Sequence, residues 1–228
     1  MSVLRAIVFD FDGVIADTEP LHFRSLCDVL ADEHVALSER EYYARYLGYD
    51  DVGALRAIGV DYGRSWTIDH VAELVIKKAA RVEMLERDLP VLFPGAEAAI
   101  RRAADAVPLA IASGALGAEI RRVLDRADLT RYFAAIVAAE DTPASKPAAD
   151  PYQRAVLRLA DAIGGPLRAA DCVAIEDSRW GLESARAAGL RTVAISTSYD
   201  ASDLGDADLV LPDIDALDVD TLRAIFDS

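Results

Sequence analysis

Four short stretches of this 228-residue chain carry side chains suited to phosphoryl chemistry: Asp10 and Asp12 in FDFDGV, Ser113-Gly114, Lys146 in ASKPAADP, and Glu176-Asp177-Ser178. A carboxylate can attack phosphorus and form an aspartyl phosphate. A second carboxylate can protonate the leaving oxygen and then deprotonate the next nucleophile. Residues i and i+2 of an extended chain face the same side, so Asp10 and Asp12 can address one phosphorus. Asp10, at the strand end, is assigned as nucleophile and Asp12 as acid/base. Magnesium takes oxygen ligands, usually one or two carboxylates plus substrate phosphate oxygens. Asp10 and Asp177 can supply the carboxylates, and a backbone carbonyl near Asp12 a further ligand. Lys146 would offset phosphate charge and carboxylate crowding. The Ser113 hydroxyl and neighbouring backbone N–H groups, Gly114 included, would hold a phosphate oxygen.

Each stretch alone has a plainer explanation. Asp-x-Asp recurs at Asp206/Asp208, Asp213/Asp215 and Asp218/Asp220, in an acidic C-terminal region where turns and caps explain it. Ser113-Gly114 is an ordinary turn or cap, Lys146 an ordinary surface lysine, and Glu176-Asp177-Ser178 a helix start. The distinction lies in the elements that precede them.

Those elements are nearly continuous apolar runs at 3–9, 109–113, 135–139, 172–175, 192–195 and 209–211, the pattern of strands covered on both faces of a parallel sheet. Helical patterns lie between them at 95–105, 116–127, 151–162 and 179–188, with Gly189 where a C-terminal capping glycine belongs. Repeated strand–helix units predict a doubly wound, Rossmann-like α/β sheet. Ligands of such sheets bind outside the carboxyl ends of the strands. All four stretches follow strands, so the fold gathers them on one rim.

From about residue 17 to 88 the rhythm breaks. Helical patterns at 20–32, 38–46, 51–58 and 66–87 predict a helical insert, the last helix carrying Ile68, Val71, Leu74, Val75, Ala79, Val82 and Leu85 on its apolar face. The return segment DLPVLFPG has the prolines and glycine of a hinge. The expected division is a core of 1–15 plus 94–228 and an insert of 16–93, the latter able to act as a lid.

The formal charge of −15 argues against a nucleic-acid partner, which needs basic surface. A local positive site remains compatible with it, because distant charges are screened over ~8 Å. Two cysteines, Cys27 and Cys172, with no CxxC, describe buried thiols in a reducing compartment rather than a disulfide framework. No secretory pattern opens the chain, and no run reaches the ~18 apolar residues of a membrane span. The expectation is a cytoplasmic monomer acting on a small phosphorylated metabolite.

DFDGV (10–14), ASG (112–114), SKPAADPY (145–152) and EDSRWGLESARAAG (176–189) resemble, in order and approximate spacing, the motifs of the haloacid dehalogenase superfamily. The nearest likeness is to its phosphatase and β-phosphoglucomutase-like branch with a small four-helix cap. The resemblance implies an aspartyl-phosphate mechanism with Mg2+. It makes Asp10 nucleophile and metal ligand, and Asp12 acid/base and metal ligand through its carbonyl. Ser113 then binds phosphate, Lys146 steadies nucleophile and phosphate, and Asp177 binds metal. Glu176 binds it directly or through water.

DTEPLHF (17–23) is similar to the mutase's first cap segment, which places Thr18 and His22 where acid/base gating is influenced. Lys78 matches a substrate-contacting cap lysine. In YLGYDD (46–51), however, Tyr49, Asp50 and Asp51 stand where the mutase has an arginine gripping a distal phosphate. Losing a bidentate guanidinium and gaining carboxylates disfavours a bisphosphorylated intermediate. The expected activity is therefore that of a phosphatase acting on a sugar phosphate, with a mutase or a non-catalytic binding protein of the same fold as alternatives. Dehalogenases of this superfamily lack the second aspartate, so Asp12 separates this chain from them.

Overall fold

Strand β1 (Ala6–Phe9) is buried at every position, because both its edges are paired and both its faces are covered. The computed structural model describes residues 3–46, 49, 51–88 and 91–227. Around β1 lie β2 (Leu109–Ala112), β3 (Phe133–Val137), β4 (Cys172–Glu176), β5 (Arg191–Ile195) and β6 (Leu209–Leu211). They form one parallel sheet in the order β3-β2-β1-β4-β5-β6. The order reverses between β1 and β4, the place where doubly wound sheets open a crevice at their carboxyl ends.

Two runs differ from expectation in extent. β1 starts at Ala6, not Val3, because its neighbours begin at Leu109 and Cys172; Val3 is exposed. β3 spans Phe133–Val137 rather than 135–139. The apolar run FAAIVAA has no phase of its own. The turn after β3 sets it, where the Asp141 carboxylate accepts the Ala138 N–H at 2.9 Å.

Helices α5 (Ala96–Ala104), α6 (Gly117–Arg126), α7 (Asp150–Ile163) and α8 (Arg179–Ala187) are the crossovers. Small residues on the sheet (Ala6, Ala110, Ala112, Ala174) let α7 settle closely through Tyr152, Ala155 and Leu159. Gly189, at φ +88°, follows α8 as a C-terminal cap. A last helix, α9 (Val219–Ala224), was not expected; at six residues it is too short for periodicity to show. Two of the acidic pairs supply caps, Asp213 accepting from Ala216 N–H and Asp218 from Thr221 N–H, while in the third Asp208 accepts from Thr192 N–H of β5 at 2.7 Å. Cys172 is buried and Cys27 only half-buried; both thiols are free.

Residues 3–17 and 92–227 form one compact unit, and 18–46, 49, 51–88 and 91 belong to a second. The second unit holds α1 (Glu19–Asp32), α2 (Glu39–Arg45), α3 (Asp51–Asp61) and α4 (Ile68–Asp88). It has its own core, built from Leu26, Leu30, Tyr42, Tyr46, Leu55, Ile58 and Leu74. The buried stripe of α4 is narrower than its pattern suggested, since Ile68 is exposed. Leu47, Gly48 and Asp50 of the YLGYDD segment, and Leu89 and Pro90 of the hinge-like segment, lie outside the described residues. Among the described residues no helix is long and apolar enough to cross a membrane.

Candidate active site

Asp10 is the first residue beyond β1, and its N–H continues the ladder by bonding Ile175 O at 2.8 Å. Its Oδ1 accepts from Phe11 N–H at 2.7 Å and lies 2.8 Å from Lys146 Nζ. The chain then turns. Ile15 and Ala16 N–H both reach Phe11 O, and Gly13 N–H bonds Ala16 O. Asp12 sits, half-buried, beyond the end of β1, in an isolated parallel bridge with Ala16 across that turn. Gly13 adopts φ +76°, and a Cβ there would stand 2.0 Å from Asp177 Oδ2. Only glycine fits both the dihedral and the gap.

From β4, Glu176 and Asp177 reach the same point. Carboxylate oxygens of Asp10, Glu176 and Asp177, all buried, lie within 4.8 Å of one another. Glu176 has no exposed surface. Its Oε1 takes Lys146 Nζ at 2.6 Å and Tyr152 OH at 2.7 Å. Its Oε2 accepts from Ser178 OH at 3.1 Å, Asp177 N–H at 3.2 Å and Ser178 N–H at 3.4 Å. Ser178 also caps α8 through Gly181 N–H. At Gly181 any Cβ would meet the Glu176 carboxyl at 1.9 Å, so glycine lets the helix start directly on it.

Lys146 comes from the loop after β3, next to a cis bond to Pro147. Arg158 of α7 ties that loop down by pairing with Asp141 at 2.6 Å. The Lys146 ammonium sits 5.3 Å from the centre of the Tyr152 ring. Burial works to lower its pKa, but Asp10 and Glu176 outweigh this and hold it above its ordinary value. Asp10 is pushed well above the usual carboxylate range, by burial first and then by the charge of Glu176. Asp177 is raised to about 7 by the same two causes, against the hydrogen bond from Ser198. One ammonium does not neutralise three clustered carboxylates, and the charge of Glu176 adds to the effect of burial on both aspartates. The all-oxygen donor set fits a hard divalent cation, which would supply the missing charge. With every Glu176 oxygen already accepting from protein donors, Asp10 and Asp177 are the carboxylates that suit such an ion.

After β2, Ser113 is buried and its N–H bonds Val137 O at 3.0 Å. Its Oγ accepts from Ala115 N–H, and exposed Gly114 follows. Ser113, Lys146, Asp10, Asp12, Glu176 and Asp177 all belong to the sheet unit, at the carboxyl ends of β1–β4.

Three further expected residues lie in the helical unit. Thr18 is the buried residue preceding α1 and its carbonyl accepts from His22 N–H at 3.0 Å. His22 and Lys78 meet, Nδ1 to Nζ, at 2.8 Å. Lys78 is 3% exposed and bonds the Asp51 carboxylate as well, so it is no solvated charge.

Three residues of the site carried no signal strong enough to be singled out: Tyr152, Thr197 and Ser198. Tyr152 falls inside a motif that was read for its lysine, and Ser178, read with Glu176 and Asp177, turns out to donate to Glu176.

A family model for haloacid dehalogenase-like hydrolases matches residues 7–195. The chain belongs to that family. This hydrolase is 34% identical over 224 residues to protein CbbY of Cupriavidus necator, covering 92% of this chain and 85% of that one. It is 30% identical over 194 residues to hexitol phosphatase B of Escherichia coli, covering 84% and 83%. Its fold matches a crystal structure of a variant of CbbY from Rhodobacter sphaeroides in complex with xylulose-(1,5)-bisphosphate. That match has a TM-score of 0.81 at 23% identity, over 94% of this chain and 96% of that one. These likenesses class the hydrolase with the phosphoric monoester hydrolases of that family.

Proposed function

We propose that this hydrolase is a magnesium-dependent phosphatase of a small sugar phosphate, working through a phosphorylated Asp10. The observation that carries this is the geometry around Asp10. Its Oδ1 is held by the Lys146 ammonium and the Phe11 N–H, and its carboxylate shares a cluster with Asp177 and Glu176. A carboxylate so fixed has one oxygen to spare for attack. Magnesium, held by Asp10, Asp177 and the Asp12 carbonyl, would neutralise phosphate charge.

In the first half-reaction an Asp10 oxygen bonds to phosphorus as the phosphorus–oxygen bond to the sugar breaks. Asp12, protonated, gives its proton to the leaving oxygen. In the second, Asp12 takes a proton from water. The resulting oxygen attacks the aspartyl phosphate, which releases inorganic phosphate and restores Asp10. Lys146 balances charge throughout. Ser113 and Gly114 hold a non-reacting phosphate oxygen. Thr18, His22 and Lys78 are assigned to substrate recognition.

The sugar-phosphate class is supported by the likeness to hexitol phosphatase B and to CbbY, one of which holds a pentulose bisphosphate. A bisphosphate is disfavoured for this chain, where Tyr49, Asp50 and Asp51 replace the mutase arginine.

The test is phosphate release with Mg2+ across hexose and hexitol phosphates, sugar bisphosphates, phosphoglycolate and nucleotides. Steady release from a sugar monophosphate, abolished in Asp10→Asn, is expected. Interconversion of hexose 1-phosphate and 6-phosphate without net release would replace the phosphatase by the mutase.

A further inference from the structure

The loop after β5 supplies a fifth strand end to this site. Two consecutive hydroxyls leave it in different directions. Thr197 Oγ1 donates to the carbonyl of Gly13, and Ser198 Oγ donates to Asp177 Oδ2. Gly13 stands between them: a Cβ on it would meet Asp177 Oδ2 at 2.0 Å and Ser198 Oγ at 3.0 Å. The ends of β1, β4 and β5 are thus joined at one spot by two side-chain hydroxyls and a residue without a side chain.

We propose that Ser198 and Thr197 are positioning residues of this hydrolase, Ser198 for the metal-binding carboxylate and Thr197 for the turn that carries Asp12. The inference rests on the metal-dependent reading above. With Oδ2 committed to Ser198, Asp177 has Oδ1 to offer and binds metal through one oxygen. A carboxylate oriented by an outer hydrogen bond loses less freedom on binding, and removal of such partners lowers metal affinity by roughly 10–100-fold. Thr197 acts elsewhere. Gly13 follows Asp12 directly, and its carbonyl is fixed from outside the turn by the Thr197 hydroxyl. That bond fixes the Gly13–Val14 peptide from outside the turn and, through the Gly13 backbone, limits the movement of Asp12 just before it. Neither residue touches a reacting atom. Both are exposed in a loop, so removing a hydroxyl leaves the buried core intact.

The test measures Mn2+ binding to the metal-free full-length protein by electron paramagnetic resonance, beside steady-state phosphate release. Ser198→Ala is expected to raise the Mn2+ Kd about tenfold or more, with kcat largely recovered at saturating metal, and Ser198→Thr to restore the affinity. Thr197→Val is expected to leave the Mn2+ Kd within about twofold and to lower kcat about tenfold, with Thr197→Ser restoring it. Unchanged Mn2+ affinity in Ser198→Ala, or equal loss in Ser198→Ala and Ser198→Thr, overturns the role of Ser198. Unchanged kcat in Thr197→Val overturns that of Thr197. Metal binding is read without turnover. A wild-type protein that binds Mn2+ but releases no phosphate from any substrate therefore overturns the phosphatase reading, while the Ser198 comparison still stands on its own.

Discussion

Glu176 Oε1 lies 2.6 Å from Lys146 Nζ, and the glutamate has no exposed surface at all. Lys146 is itself 2.8 Å from Asp10. The lysine is therefore a bridge: one carboxylate that is saturated by protein donors anchors it, and it presents its charge to the other. A buried ion pair is a weak source of stability on its own, but removing one member leaves an uncompensated charge.

The first prediction follows from that saturation. Glu176→Gln keeps size and shape but replaces one oxygen by an amide NH2. Either orientation of the amide sets N–H groups against donors, the Lys146 ammonium and Tyr152 hydroxyl on one side or the Ser178 and Asp177 N–H groups on the other. We expect kcat to fall by about 10–100-fold, as for other residues that orient metal-site groups. Stability should drop by roughly 1–3 kcal/mol from the unmatched donors. Steady-state phosphate release and urea unfolding check the two parts. Wild-type kcat in this variant would show that Lys146 does not need its anchor.

The second concerns the charge deficit. A cation that binds only the folded state stabilises it by about 2.7 kcal/mol at a hundredfold excess over Kd. For a chain of this size each kcal/mol moves Tm by roughly 2–4 °C. Mg2+ at that excess should raise Tm by about 5–10 °C over the chelator-treated protein, and Asp10→Asn, which removes one carboxylate from the cluster, should shrink the increment. Differential scanning calorimetry with and without Mg2+ settles it; no shift at any Mg2+ concentration contradicts the metal assignment.

A third prediction isolates the glycine. In Gly13→Ala the left-handed φ costs roughly 1–3 kcal/mol and the new methyl group displaces the Asp177 carboxylate. Loss of stability and loss of metal affinity should therefore appear together, measured by thermal unfolding and Mn2+ titration. An alanine variant that is destabilised yet binds metal normally would mean that the turn, not Asp177, gives way.

Why some of this was legible in the residues and some was not has physical causes. Strands covered on both faces must be apolar throughout, so the β1, β2, β4 and β5 runs announce themselves, and charged groups at their ends stand out. β3 was displaced by two positions because a uniform apolar run does not say where pairing stops; the Asp141 turn does. Thr197 and Ser198 went unread because serine and threonine after a strand are ordinary turn residues, and only the chain's return past Gly13 gives them partners. Lys78 was singled out through the resemblance, while the residues alone read it as a solvated charge beside Lys77. Its position four residues after Leu74 and four before Val82 puts it on the buried stripe of α4, yet burial of a lysine is readable only once Asp51 is known to face it. Asp12 was expected to continue the extended chain of β1; the strand ends at Phe9, and Asp12 is bridged to Ala16 across a turn closed on Phe11 O.

The fourth prediction uses pH. Asp171, buried just before β4, accepts from Arg168 at 2.6 and 2.7 Å, and that hydrogen-bonded pairing holds its carboxyl below the usual range. A carboxylate with a lowered folded-state pKa stabilises the fold above its unfolded pKa of about 3.9, and that contribution is lost as pH falls through the lowered value. Asp171→Asn should therefore unfold at a lower temperature than the wild type at pH 7. The gap should hold down to about pH 5 and close as the pH falls through the lowered value. A gap that widens on acidification would reverse the sign.

The fifth turns to the helical unit. Lys78 is 3% exposed, and its charge is met by the Asp51 carboxylate and the His22 ring. Removing the carboxylate in Asp51→Asn strands a buried ammonium. The penalty for such a break is about 3–5 kcal/mol in a closed site, reduced here because Asp51 is partly open to water, which can replace some of what it gave. Replacing both partners with Asp51→Asn and Lys78→Met removes the stranded charge as well as the pair. The double variant should then be more stable than Asp51→Asn alone, by roughly 1–2 kcal/mol in urea unfolding. Hydrogen exchange along α4, compared among the three proteins, localises the effect. If the single variant is as stable as the wild type, the ammonium finds solvent without Asp51, and the pair contributes nothing to holding α1, α3 and α4 together.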